Sequence, residues 1–229
     1  VALSAFVGLG LVLAVAIVLW RATLLPPEVV RGYVPRRGDV VFQRLPDSEL
    51  ARVIEGIGGS RWTHCGIVDV DGATWTVIEA VGPVRVVPLA TWIRRGAGQA
   101  WIALRLEGAT PDVVDAALAS ARTFLGRPYD LRFDLDDERI YCTELVHKAF
   151  AAALGHDLVE TKALRDLPWQ PHAAWIEQTE GGPPPLERRI VTPAALLASP
   201  RLIVVHDSTR EAPPRTDAPG PHSAVRSRP

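Results

Sequence analysis

Two cysteines, Cys65 and Cys142, occur in the 229 residues of this chain. Cys142 stands in the block Tyr141-Cys142-Thr143-Glu144-Leu145-Val146, at the head of an apolar run that continues to Leu154 and closes at Gly155. The run reads as a helix that Cys142 opens. A sulfur there lies beside unpaired backbone N–H groups and the positive end of the helix dipole, and both favour thiolate over thiol. A thiolate attacks carbonyl carbon and needs a base to take its proton. The competing reading of Cys142 is a small core side chain, the common fate of a free cysteine.

A hairpin supplies the base. Two β-rich runs, residues 62–70 and 73–80, are joined by Asp71-Gly72, a strong hairpin signal. With Asp71 and Gly72 as the turn, Val70 faces Ala73 and His64 falls directly opposite Glu79. Opposed Cβ atoms are about 4.5–5.5 Å apart. Glu79 can then accept from one imidazole nitrogen and orient the ring, leaving the other for chemistry. Side chains alternate along a strand, so Gly66, Val68, Trp75 and Val77 share the face of His64, and Cys65 points to the other. That assignment makes Cys65 the lesser nucleophile and argues against a Cys65–Cys142 redox pair, whose sulfurs must come within bonding reach. The bland alternatives are a satisfied strand histidine at 64 and a solvated strand end at 79.

Other elements must bring Cys142 to this pair. Residues 38–44 read as a strand entered from a tight turn, and 47–56 as a helix. Residues 84–89 and 101–106 read as strands, with a short helical turn at 91–95. A helix is expected over 112–125, with Thr110 as N-cap, Pro111 at its first position and Gly126 at its end. Residues 126–130 form a turn. The acidic stretch 131–139 reads as a solvated loop without EF-hand spacing. Residues 156–182 read as irregular chain over the site, with His172 in a packing role. A short helix at 194–198 and a strand at 201–206 complete the pattern. The expected fold is α+β, a small antiparallel sheet packed on the Cys142 helix and the 110–125 helix.

Residues 1–20 are apolar or small and carry no charge. As a helix they would span about 30 Å, the thickness of a bilayer core. The run ends in Trp20-Arg21, which suits an uncleaved anchor. The expected layout is a transmembrane anchor over 1–23, a linker over 24–37, one folded domain over 38–206 and a disordered, Pro-rich tail over 207–229. The membrane is thus an expected partner. Arg21, Arg31, Arg36 and Arg37 follow the anchor, and the positive-inside rule draws them to the cytoplasm. A formal net charge of -1 argues against a broad basic surface for nucleic acid. Two cysteines make no staple framework, and no Cys/His spacing suggests structural zinc. No cofactor or metal is expected.

A histidine strand, a following carboxylate and a Tyr-Cys-Thr-Glu-Leu-Val block, in that order, resemble the circularly permuted papain-like cysteine hydrolases of the NlpC type, closest to their YiiX-like branch. The blocks that carry the resemblance are residues 62–68, Glu79, the Gly126-Arg127-Pro128-Tyr129-Asp130 turn and residues 141–146. The resemblance covers about residues 35–155. The resemblance implies a permuted papain-like fold with Cys142 as nucleophile, His64 as base and Glu79 as orienter. Tyr129 and Tyr141 take supporting roles. Cys65 beside the histidine, and the long C-terminal extension, have no counterpart in the motif.

The function expected is a membrane-anchored cysteine hydrolase or acyl transferase. The resemblance implies two substrate classes: amide bonds of cell-wall peptides, and lipid acyl groups as in the related lecithin retinol acyltransferases. The first suits a domain outside the cytoplasm, which is the placement expected. The alternative is a catalytically idle, membrane-tethered binding module on the same scaffold. The intact Cys142, His64 and Glu79 set argues against it.

Overall fold

Along neighbouring strands, Val40, Phe42, Cys65, Ile67, Ile78 and Ala80 alternate with Val41, His64, Gly66, Val68, Val77 and Glu79. Both sets are buried, so the sheet separates two cores instead of facing water on one side. The structure, a computed structural model, describes residues 33–210. Strands β1 (Val40–Gln43), β2 (His64–Asp71), β3 (Thr74–Ala80), β4 (Val84–Pro88), β5 (Trp101–Leu106) and β8 (Leu202–Asp207) form one sheet in the order β4-β3-β2-β1-β5-β8. Every neighbouring pair is antiparallel. A separate two-stranded ribbon joins β6 (Lys162–Ala163) to β7 (Arg189–Ile190).

Six α-helices are described: α1 (Glu49–Gly58), α2 (Leu89–Arg95), α3 (Pro111–Thr123), α4 (Cys142–Leu154), α5 (Ala173–Glu180) and α6 (Pro193–Leu197). On one face of the sheet α3 and α4 bury Ala117, Leu118, Leu145, Val146, Ala149 and Phe150 against Phe42, Cys65, Ile67 and Ile78. Each large apolar side chain so buried contributes roughly 1.5–3 kcal/mol. On the other face Leu89, Trp92 and Ile93 of α2 cover Val41, Val68, Val77 and Trp101. A third, smaller core joins Val53 and Ile57 of α1 to Leu164, Leu167, Ile176 and Ile190. The α+β class and the packing of α3 and α4 on an antiparallel sheet are as expected.

Helix ends follow their side chains. Ser48 Oγ accepts from Ala51 N at 3.1 Å at the start of α1. Thr110 Oγ1 accepts from Val113 N at 3.4 Å before Pro111 opens α3.

The hairpin differs from expectation by its turn. Asp71 pairs with Thr74, so the two-residue loop is Gly72-Ala73 and not Asp71-Gly72. Gly72 takes a φ of +57° as the first loop residue, where a type II′ hairpin turn needs it. Every partner moves by two residues, so the faces survive but the pairs change. Gly66 now stands opposite Glu79, and His64 is Glu79's diagonal neighbour.

Residues 156–182, expected to be irregular, contain α5 and two 3₁₀ turns. His172 packs over Gly56, where an added Cβ would come within 2.0 Å of its Nε2. At the chain's far end, Trp101 N donates to Ser208 Oγ at 2.8 Å, so ordered contacts continue past β8. The anchor expected over 1–23 lies outside the described residues. Among those described, no helix is long and apolar enough to cross a membrane.

Candidate active site

Cys142 is the first residue of α4, which begins here because Glu144 can reach back. Its carboxylate accepts from Tyr141 N at 3.1 Å, the reach-back half of a capping box. The same turn is tied to a distant segment. Tyr141 Oη accepts from Val191 N at 2.9 Å, and Thr143 Oγ1 donates to Val191 O at 2.7 Å. Both backbone groups of Val191 are thus held by the residues that flank Cys142.

Glu79 and His64 form the second half of the site. His64 Nε2 and Glu79 Oε2 are 2.7 Å apart, with both side chains fully buried. They meet on the diagonal beside Gly66, which has no room for a side chain. A Cβ at Gly66 would lie 2.5 Å from Val77 Cγ1 and 2.7 Å from Ile78 O. Two arginines complete the cluster. Arg85 Nε donates to Glu79 Oε1 at 3.0 Å, Arg95 Nη1 donates to the same oxygen at 2.8 Å, and Arg95 Nη2 bonds Oε2. Burial alone would raise the Glu79 pKa, but Arg95 and His64 outweigh it and hold the carboxyl far below the usual range.

With Nε2 engaged, His64 has Nδ1 left for the thiol. His64 opens β2, and its ring lies on the α2 face of the sheet near Trp92. Burial disfavours the imidazolium, but contact with Cys142 and Glu79 prevails and raises the His64 pKa. The Cys142 pKa is driven well below the ordinary thiol value. A hydrogen bond from the Cys65 thiol is the largest cause, burial opposes it, and the His64 ring adds to the lowering. Both shifts favour the thiolate–imidazolium pair over neutral thiol and imidazole.

The Cys65 contact departs from expectation. Cys65 and His64 do point to opposite faces, but α4 packs on the face of Cys65. Burial together with Cys142 keeps Cys65 a thiol. Tyr129 also abuts Cys142, and burial raises its pKa, so it stays a neutral phenol. Its turn is pinned by Val84 N to Arg127 O at 2.8 Å and Ile140 N to Pro128 O at 3.0 Å. The two tyrosines divide their tasks: Tyr129 touches the sulfur, and Tyr141 holds Val191.

Two clefts meet at the site. One has Cys142 in its wall, with Ile54, Ile57, Phe133, Trp175 and Ile190 prominent. The other has His64 and Tyr129 in its wall together with Leu45, Ser48 and Thr63, and both are mostly apolar. Ile54 and Leu131 belong to both and form the ridge between them.

A cysteine at a helix start, beside a histidine–carboxylate pair that precedes it in the chain, has the arrangement of a papain-like site in permuted order. The family model for permuted papain-like amidases of the YaeF/YiiX, C92 type matches residues 34–206. The chain belongs to this family. The protein YiiX of Escherichia coli (strain K12) is 33% identical over 177 residues, which cover 76% of this chain and 87% of YiiX. The crystal structure of YiiX from Escherichia coli O157:H7, described there as a metalloprotein, superimposes with a TM-score of 0.72 at 31% identity. It covers 76% of this chain and 98% of its own.

Arg85, Arg95 and Val191 escaped the sequence reading. Arg85 was within reach of it, since it lies directly across from Glu79 once β3 and β4 are paired. Arg95 and Val191 depend on packing between elements far apart in sequence.

Proposed function

We propose that this protein is a thiol hydrolase that cleaves an amide or ester bond whose acyl part is apolar. The adjacency of Cys142 to the buried His64–Glu79 pair, at the rim of an apolar cleft, carries the reading. Cys142 Sγ attacks the carbonyl carbon, and the carbonyl oxygen takes up the electron pair. In this reading the backbone N–H groups at the start of α4 serve as donors to that oxygen. The tetrahedral adduct collapses as protonated His64 donates to the leaving amine or alcohol. Water, deprotonated by His64, then releases the acyl group and restores the thiolate. Glu79 keeps the ring oriented and stabilises its charge throughout, itself fixed by Arg85 and Arg95.

Cys142 keeps the acyl half, which this reading seats in the cleft that Cys142 lines; His64 serves the leaving group, seated in the cleft that His64 lines. An apolar cleft favours a lipid-like acyl chain over a charged cell-wall peptide. The uncharged run at residues 1–20 supports a membrane-tethered enzyme acting at a bilayer surface. Retention of the full chain in the membrane pellet after alkaline carbonate washing is the expected result. Release into the supernatant removes the tether.

YiiX is described as a metalloprotein. Among the described residues here, no group of three His, Cys, Asp or Glu side chains is placed to hold a metal ion. Both Glu79 oxygens are taken by arginine and histidine. The residues do not fit a metal, and no step passes through one.

The test is the rate of Cys142 alkylation by iodoacetamide against pH, with His64→Ala alongside. A thiol titrating well below about 8.5, and moving up towards that value in His64→Ala, supports the pair. An ordinary thiol indifferent to His64 removes the hydrolase reading and leaves a binding module. Matched amide- and ester-linked long-chain substrates then separate amidase from esterase.

A further inference from the structure

The cleft that holds His64 is built without fixed charge. Among the described residues, no Asp, Glu, Lys or Arg side chain lines it. Leu45, Leu50, Ala51, Ile54, Val81 and Leu131 make up most of its wall. Its two aliphatic hydroxyls are committed to the backbone: Ser48 Oγ accepts from Ala51 N at 3.1 Å, and Thr63 Oγ1 accepts from Leu45 N at 3.0 Å. Tyr129 supplies one aromatic ring, short of the cage that recognises a quaternary ammonium. Arg85 and Arg95 bond Glu79 and do not line the cleft. The Cys142 cleft differs, with Arg132, Glu180 and Arg188 in its wall.

We propose that the leaving group of the substrate is an uncharged, apolar alcohol or amine, so that the scissile bond joins two apolar arms. The proposal rests on the reading of Cys142 as nucleophile and of His64 as the acid that serves the leaving group, and it names the chemistry that the His64 cleft accepts. In acylation the S–C bond forms, the C–O or C–N bond breaks, and His64 gives its proton to the departing oxygen or nitrogen.

A charged group that enters this cleft gives up its hydration and meets no opposite charge. A cation is further opposed by the imidazolium form of His64. An apolar arm gains with each methylene that it buries, by about fourfold in affinity. Head groups of the choline type and amino acids with a free carboxylate are therefore poor leaving groups, and plain alkyl chains are good ones. Leu50 is the place to reverse the preference. It is half-buried in the wall and is the second residue of α1, where the helix dipole favours an acid, so a carboxylate can enter the cleft without cost to the helix.

Octanoate esters turned over by the full-length protein test this, with each kcat/KM divided by that ester's hydroxide-catalysed rate. From the ethyl through the butyl to the hexyl ester, a rise of about fourfold per methylene is expected. The choline ester is expected at least about tenfold below the neohexyl ester, its uncharged isostere, and the glycolate ester as far below the isobutyl ester. Leu50→Glu should move the choline-to-neohexyl ratio upward by about tenfold. Charged and uncharged isosteres turned over alike, rates indifferent to chain length, or a ratio that a folded Leu50→Glu leaves in place overturns the proposal. Intact mass of the quenched reaction keeps the two readings apart. An octanoyl adduct on Cys142 without leaving-group preference sinks only the apolar leaving group. Neither adduct nor turnover, with any ester or with the hexylamide of octanoic acid, sinks the nucleophile as well.

Discussion

At the scale of single residues, the site is a chain of charges that ends on a sulfur. Arg85 and Arg95 fix Glu79, Glu79 fixes His64, and His64 with Cys65 stabilises the Cys142 thiolate. Replacing Cys142 with Ala is expected to abolish turnover of any acyl substrate while leaving the fold intact, checked by circular dichroism. Activity needs the thiolate, present above the lowered Cys142 pKa, and the imidazolium, present below the raised His64 pKa. The rate against pH is therefore a bell. Its acid limb lies well below about 8.5, and its alkaline limb lies above about 6.5. Substituting Gln for Glu79 leaves Arg95 and the imidazolium facing a neutral amide; a loss of about 2–4 kcal/mol in urea denaturation is expected. Cys142, His64 and Glu79 were legible in the sequence because each is a residue type with its own chemistry at a recognisable spacing. Arg85 and Arg95 were not, because an arginine on a strand or helix ordinarily reads as a solvated charge. The place of Cys65 was read half correctly. Strand alternation gives the face it shares, but only tertiary packing decides which face receives the nucleophile's helix.

At the scale of elements, one hairpin and one clamp set the geometry. The Asp-Gly signal led to the hairpin and the correct faces, and the loop then formed one residue later than expected. Turn chemistry favoured glycine in the first loop position, and no pattern of apolar residues distinguishes registers two partners apart. The diagonal pairing makes Gly66 a spacing requirement. Gly66→Val would drive its side chain into Val77 and the Ile78 carbonyl. A destabilisation of about 1–3 kcal/mol and a Cys142 thiol pKa moved upward are expected, read by thermal melting and by alkylation. The clamp on Val191 makes a separate prediction. Tyr141→Phe removes the acceptor for a buried N–H and should cost about 1–3 kcal/mol; His64 and Cys142 stay paired, so the pH of half-maximal alkylation should not move. The helix α5 was hidden because Ile176 is its only buried residue, which leaves no apolar period to detect.

At the scale of the whole molecule, buried ionisable groups oppose one another across the pH range. The pKa values of Glu79 and Asp69 are lowered in the fold, by Arg95 and His64 against burial in one case and by Arg37 and Arg122 against burial in the other. Groups lowered in this way add stability above their unfolded values of about 3.9–4.3 and lose it as pH falls through the folded ones. Glu144 runs the other way. Burial raises it to about 8, against Lys148 and the Tyr141 N–H. Its contribution is complete below about 4.3 and is lost as pH rises towards 8. The urea midpoint should peak at mildly acidic pH. Glu144→Gln should flatten the alkaline side alone, and Glu79→Gln the acid side alone.

The clamp also has a meaning in time. Tyr141 and Val191 are 50 residues apart. At a translation rate of about 5–20 residues per second, roughly 3–10 s separate their emergence from the ribosome. Through that interval the nascent chain already carries its cysteine, histidine and glutamate. It lacks β7, the segment that closes the cleft wall, and β8, the strand that completes the sheet. The protein thus leaves the ribosome with its reactive thiol made first and its binding wall made last.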